Sequence, residues 1–180
     1  MKKIYLVRHC SAIGQEPEAE LTEVGIEQAK MLVDFFSDKN IDRVVSSPFK
    51  RALQTIEPFC EQEGKTIQVE NNLRERVLST QDMPDWFERL RDTYDDRDLK
   101  FAGGESNNEA AIRVMAVLES LIMDEGVNHA VVVTHGGALS LILNHFDESF
   151  GFEQWQKLSN PDVFVLEIQK ESPTIRRVWS

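Results

Sequence analysis

The chain has 180 residues, 41% of them apolar, enough for one domain with a real core. Its formal charge of −11, from 31 acidic against 20 basic residues, disfavours nucleic acid and anionic membrane as partners. No stretch approaches the ~20 consecutive apolar residues of a membrane span, and two cysteines allow at most one disulfide.

In chain order, the basic start Met1-Lys2-Lys3 leads into an apolar run of only Ile4 to Val7, which ends on Arg8. That is too short for a secretory leader, so a cytoplasmic protein with reduced thiols is expected. Residues 3–8 are predicted to form a strand. Helical spacing of Ile26, Ala29, Leu32, Val33 and Phe36 predicts a helix over 22–37, with Thr22 as N-cap. A second strand is predicted over 42–46. Ser47-Pro48 then reads as an N-cap followed by Pro at the first helical position, with the helix running to about Glu63.

A short strand at 66–70 follows. Next comes a charged helix at about 84–97, with Trp86, Phe87, Leu90 and Tyr94 on one face. Ser106 to Glu109 reads as a capping box opening a helix to about 124. His129 to Thr134 is a strongly apolar strand, and Gly136-Gly137 opens a helix ending near His145. Strands at about 162–169 and 174–179 close the chain. Alternating strands and helices predict a three-layer α/β/α sandwich with a mainly parallel, mixed sheet. Ligands of such folds bind beyond the carboxyl ends of the strands.

Three predicted strands end on polar groups of one chemical kind: Arg8-His9, then Ser46-Ser47 running into Lys50-Arg51, then Thr134-His135-Gly136-Gly137. In a parallel sheet these ends share an edge, so two arginines and two histidines converge. Such a cluster repels itself in a low dielectric and calls for an anion. A phosphoryl group matches it, with about two charges and three acceptor oxygens. Guanidinium forks suit those oxygens, and Gly136 and Gly137 add N–H groups at a helix start. Each piece alone has an ordinary explanation. A lone histidine at a strand end is more often a satisfied polar residue, Arg51 alone is an exposed helix residue, and Glu75, flanked by Arg74 and Arg76, reads as a solvated charge. The convergence on one crevice is what points to an anion site. The four histidines show no zinc spacing, so no metal site is expected.

A further set of short motifs lies in order along the chain: Leu6-Val7-Arg8-His9, Leu21-Thr22 with Gly25, Gln28 and Ala29, Ser46-Ser47-Pro48 with Arg51, Ala52, Gln54 and Thr55, Leu73 with Glu75, Gly104-Glu105-Ser106, and Thr134 to Gly137. Together they resemble the histidine phosphatase superfamily, also called phosphoglycerate mutase-like, over residues 4 to about 143. The resemblance implies phosphomonoester hydrolysis through a phosphohistidine, with no metal or organic cofactor. His9 is the implied nucleophile, Glu75 the general acid and base, and His135 a catalytic donor. Arg8, Arg51, Gln15 and Gly136 are the implied substrate-binding groups, for a small phosphorylated metabolite. A bound dianion beside Glu75 would favour its protonated form. Mutase members tend to carry insertions around the site, so this compact chain favours hydrolysis. Phosphoglycerate mutase-type transfer and a non-catalytic phosphate-binding module are the alternatives.

The chain departs from the pattern at two positions. Cys10 stands where the family usually has Gly; it is expected as a packed small side chain with its thiol acidified by nearby cations. A cysteine-dependent phosphatase, by resemblance to its own family, needs Arg six residues after the Cys, and that position is Glu16. Gln15 stands where the family often has an Asn that donates to phosphate. One domain over 1–180 is expected, with 83–99 as a helical lid in which Trp86 and Phe87 are candidate substrate contacts.

Overall fold

The computed structural model describes all residues from Met1 to Ser180. Its centre is a six-stranded sheet of strands β1 (Lys2–Arg8), β2 (Arg43–Ser46), β3 (Ile67–Val69), β4 (His129–Thr134), β5 (Asp162–Ile168) and β6 (Thr174–Arg177), in the order β3-β2-β4-β1-β5-β6. The neighbours from β3 to β1 pair in parallel, while β5 is antiparallel to both β1 and β6. The predicted mixed, mainly parallel sheet is therefore present, with one reversed strand.

Strand pleating sorts the apolar run of β1 into two cores. Ile4 and Leu6 face one side, with Val45, Ala130, Val132, Phe164 and Leu166. There they meet the helices α4 (Asn107–Met123) and α5 (Gly136–Phe146) through Leu118, Leu121, Leu139 and Ile142. Tyr5 and Val7 face the other side, against α1 (Glu23–Phe36) and α2 (Lys50–Glu63) through Leu32, Phe36, Ile56 and Phe59. Both faces are covered, which is why these strands are nearly continuous in apolar residues.

Element starts follow side-chain chemistry. Thr22 caps α1 by accepting from Gly25 N–H at 3.0 Å, and Ser106 caps α4 by accepting from Glu109 N–H at 3.1 Å. The expected cap at Ser47 is corrected: α2 begins at Lys50 with Phe49 as N-cap, and the Ser47 hydroxyl is used elsewhere. The charged helix is shorter than predicted, α3 spanning Trp86–Asp95. A five-residue helix, α6 (Phe152–Gln156), has no counterpart in the sequence reading.

Register fixes where the strands stop. Arg8 pairs with Thr134, and Ser46 with Val133. The ladder continues one step past the strands: His9 N–H donates to Thr134 O at 3.1 Å and Ser47 N–H to Val133 O at 3.0 Å. The three polar strand ends therefore lie side by side on one edge.

Candidate active site

The structure brings the sequence-predicted residues together at that edge. Arg51 Nε–H donates to His9 Nε2 at 3.2 Å, and the His9 and His135 rings are 5.1 Å apart, edge to face. Arg8 lies against the start of α5: a Cβ on Gly136 would stand 3.0 Å from Arg8 Nε, tighter than most Cβ contacts, so glycine gives the guanidinium room. A pocket of about 490 Å³ opens beside the cluster, where polar lining from Arg8, Gln15 and Glu75 meets apolar lining from Trp86, Leu90 and Trp155. His9, Arg51 and His135 are buried next to this lining rather than within it.

His9 is held as one tautomer. Its Nδ1 lies 2.7 Å from Cys10 O, and a carbonyl only accepts, so Nδ1 carries the proton and Nε2 the lone pair. Burial, then His135, Arg51 and Arg8, push its pKa down to about 3. The ring is neutral across the physiological range. His135 is likewise held well below the ordinary histidine value by burial and by the nearby arginines. Ser47 accepts from Phe49 N–H at 3.2 Å, and its hydroxyl also lies 2.8 Å from His135 Nε2. His135 Nδ1 and Arg8 Nε are buried without a hydrogen-bond partner.

Side chains of the motif residues Thr55, Gln28 and Gln54 fasten the loop after His9. Cys10 N–H donates to Thr55 Oγ1, Ser11 N–H to Gln28 Oε1 and Leu21 N–H to Gln54 Oε1, each at 2.9 Å. Asn160 Nδ2 donates to His9 O at 2.9 Å. Arg51 also donates to Gln15 O at 3.1 Å and Glu16 O at 2.8 Å, tying the loop to α2. The Gln15 side chain reaches the pocket lining. The expected acidic thiol at Cys10 is corrected. The side chain is fully buried, and desolvation outweighs its hydrogen bonding, with Thr55 first, pushing its pKa up to about 12.

Glu75 is not a solvated charge. Its Oε1 accepts from Arg76 N–H at 2.7 Å and Ala138 N–H at 2.9 Å, and its Oε2 from Gly137 N–H at 3.0 Å. The carboxylate thus sits on the N-terminus of α5, where the helix dipole favours negative charge. A Cβ on Gly137 would come within 2.7 Å of Oε1, so the approach requires glycine. Three further side chains, from Thr134, Arg113 and Glu105, hold the segment bearing Glu75. Thr134 Oγ1 donates to Leu73 O at 2.7 Å. Arg113 donates to Asn72 O at 2.7 Å, Arg74 O at 2.9 Å and Glu75 O at 3.2 Å. Glu105 binds Arg113 at 2.6 Å and accepts from Val77 N–H at 3.1 Å. Arg113 and Asn160 are not singled out by the sequence, because the backbone groups they bind lie far along the chain, and Ser47 reads there as a helix cap rather than as a partner of His135.

Of the two candidate substrate contacts on the lid, Trp86 lines the pocket, as does Leu90 one turn further along α3. Phe87 does not; it packs against Phe152 of α6 with ring centroids 5.2 Å apart. Tyr94 OH lies 2.7 Å from Ser140 Oγ, fastening α3 to α5.

The sequence pattern of the histidine phosphatase superfamily (branch 1) matches residues 4–180. The chain belongs to this superfamily. A relative from Hydrogenobacter thermophilus named "Putative phosphoserine phosphatase 2" is 28% identical over 159 residues, covering 79% of this chain and 77% of that one. "Probable phosphoglycerate mutase GpmB" of Yersinia pestis is 26% identical, over 80% of this chain and 74% of its own. Among solved structures, a mycobacterial glucosyl-3-phosphoglycerate phosphatase in complex with inorganic phosphate superposes with a TM-score of 0.77 at 25% identity, covering 99% of this chain and 97% of that chain. The superfamily thus includes phosphatases and mutase-like proteins built on this fold. No helix here is long and apolar enough to cross a membrane.

Proposed function

We propose that the chain is a phosphomonoesterase that works through a phosphohistidine on His9. The observation that carries this reading is the tautomer: His9 Nδ1 is committed to Cys10 O, so the lone pair is on Nε2, beside Arg51 and His135. Nε2 attacks phosphorus in line and the P–O ester bond breaks. Arg8, Arg51 and His135 meet the equatorial oxygens, with Gly136 N–H and Gln15 as further donors. Arg51 Nε has to leave His9 Nε2 for the phosphoryl oxygen, so substrate itself uncovers the nucleophile. Charge on the oxygens is met by two guanidinium groups, and the reaction calls for neither metal nor organic cofactor.

Glu75 protonates the leaving alkoxide. Its Oε1 holds two N–H donors and its Oε2 one, which makes Oε2 the oxygen available for proton exchange. As carboxylate it then takes a proton from the water that attacks phosphohistidine, and inorganic phosphate departs. On this reading residues 1–180 act as one cytoplasmic catalytic domain on a small phosphorylated metabolite, with α3 as the lid over the pocket.

Hydrolysis of p-nitrophenyl phosphate tests the assignment. Wild type is expected to release phosphate from mildly acid to neutral pH, and His9→Ala to lose about a thousandfold or more of that rate. Equal rates for the two proteins would remove the phosphatase reading. Phosphoryl migration within phosphoglycerate, without phosphate release, would replace it with mutase activity.

A further inference from the structure

Glu75 is held by two peptide N–H groups at the start of α5, and one of those peptides is itself held from behind. Ala138 N–H donates to Glu75 Oε1 at 2.9 Å. The carbonyl of the same peptide unit, Gly137 O, accepts from Ser140 Oγ at 2.6 Å. Tyr94 OH, on the lid helix α3, lies 2.7 Å from Ser140 Oγ. A serine hydroxyl has one proton, and this one is committed to Gly137 O, so Tyr94 is the donor to Ser140. Every proton in the chain then points the same way. Tyr94 O–H donates to Ser140, Ser140 O–H to the Gly137–Ala138 peptide, and that peptide's N–H to the acid.

Hydrogen bonds aligned in this way polarise one another, and a carbonyl that accepts a strong bond makes the N–H of its own peptide a better donor. Ser140 is fully buried, so its hydroxyl is shielded from water. Burial pushes the Tyr94 hydroxyl up to about 12, which keeps its proton in place at neutral pH. The tyrosine is also fixed in position. Its ring packs on Phe152 with centroids 5.8 Å apart, and the carbonyl of its buried neighbour Thr93 accepts from Asn107 Nδ2 at 2.8 Å. Trp86, Leu90 and Tyr94 are spaced four residues apart, so they share one face of α3. The face that lines the pocket through Trp86 and Leu90 thus also carries the hydroxyl that stands behind the acid.

We infer that Tyr94 is a positioning residue for proton transfer: through Ser140 and the Gly137–Ala138 peptide it fixes Glu75 Oε1 as the oxygen that accepts, leaving Oε2 to carry the exchanging proton. The inference rests on the phosphatase reading and deepens it. The lid helix then has two tasks. It covers the alcohol portion of the ester through Trp86 and Leu90, and it sets the acid that protonates that alcohol as it leaves. A lid displaced from α5 loses both at once, so protonation of the leaving group is tied to a seated lid.

The test is the leaving-group dependence of Tyr94→Phe, which removes one oxygen and keeps the ring. The readout is kcat/KM for an alkyl ester, 2-phenylethyl phosphate, relative to that for p-nitrophenyl phosphate. Tyr94→Phe should slow the alkyl ester by about three- to tenfold, the scale of one hydrogen bond, and p-nitrophenyl phosphate by less than about twofold. Ser140→Ala should reproduce this pattern by a second route. The double variant should be no slower than the slower single one, because either break interrupts the same chain. A tyrosine that merely fastened the lid would slow both esters alike. Equal losses on the two esters, no loss on either, or additive losses in the double variant overturn the role of Tyr94. Glu75→Gln measured alongside separates the failures: if it shows the leaving-group pattern and Tyr94→Phe does not, the acid stands and only the chain through Tyr94 falls. No hydrolysis of either ester by wild type removes this inference and the phosphatase reading together.

Discussion

The floor and the outer wall of the pocket are built in different ways. The floor comes from strand ends. His9, Ser47 and His135 each follow the last residue of a parallel strand, and the ladder continues through His9 and Ser47. The backbone there cannot shift without breaking the sheet, and the side chains of His9, Ser47, Arg51 and His135 are buried. The outer wall comes from a loop and two helices, α3 and α6, carrying Arg76, Leu78, Trp86, Leu90 and Trp155. Trp86 is 52% exposed, and α3 buries only Thr93 fully. Fixed charge sits where a phosphoryl group common to all substrates would bind, and adaptable apolar surface sits where substrates would differ.

If that division holds, floor substitutions should cost rate and wall substitutions should cost selectivity. Arg51→Ala should lower kcat for p-nitrophenyl phosphate by about 10²- to 10³-fold, because preorganised charge at the transferring oxygens is lost. A loss confined to KM would show that Arg51 only binds. Next in size is Glu75→Gln. It should slow esters of poor leaving groups, such as alkyl phosphates, by about a hundredfold, yet hardly affect p-nitrophenolate, which leaves without a proton. Equal losses on both would remove Glu75 as the acid. Arg113→Met tests the support of that acid without touching the pocket: it should lower alkyl ester turnover selectively, in the same pattern as Glu75→Gln but by a smaller factor.

The floor also has a signature in stability. An unfolded histidine takes up a proton below about pH 6.5, whereas folded His9 does so only near pH 3. Between these values the unfolded state binds more protons, so stability falls as pH drops through that window and levels off below it. From about pH 7 to about pH 5 His9 alone should account for about 2 kcal/mol of lost stability. Denaturant unfolding of wild type and His9→Asn at both pH values checks this; identical pH dependence in the two would contradict the buried neutral ring. The smallest effect is expected at the rim. Trp86→Ala should change kcat/KM for p-nitrophenyl phosphate by only a few fold, and a large fall in kcat would erase the distinction between floor and wall.

The same contrast explains what could be read from the chain alone. The floor was legible because an apolar run that stops on Arg8-His9, and another that stops on Thr134-His135, announce a strand end with polar work to do. Parallel pairing then brings the ends together without further information. Arg51 was legible only through its place after Ser46-Ser47-Pro48; by itself it resembles any helix-surface arginine, and its burial depends on the loop carbonyls of Gln15 and Glu16. Arg74, Glu75 and Arg76 look alike as a run of surface charges. Which of them is buried follows from Glu105 and Arg113 holding the segment from across the fold. The shift at Cys10 went opposite to expectation because neighbouring cations are visible in the sequence and the depth of burial is not. The helix carrying Trp155 has five residues, too few for a helical period to register.

The central claim is that His9 carries the phosphoryl group during turnover. Rapid quench of wild type with excess phosphomonoester, followed by mass spectrometry of the peptides under alkaline conditions, reads this directly. The account predicts one phosphoryl group on the peptide containing His9, stable to base, lost in acid and missing from His9→Ala. A phosphoryl group on any other residue, or its formation undiminished in His9→Ala, would contradict it.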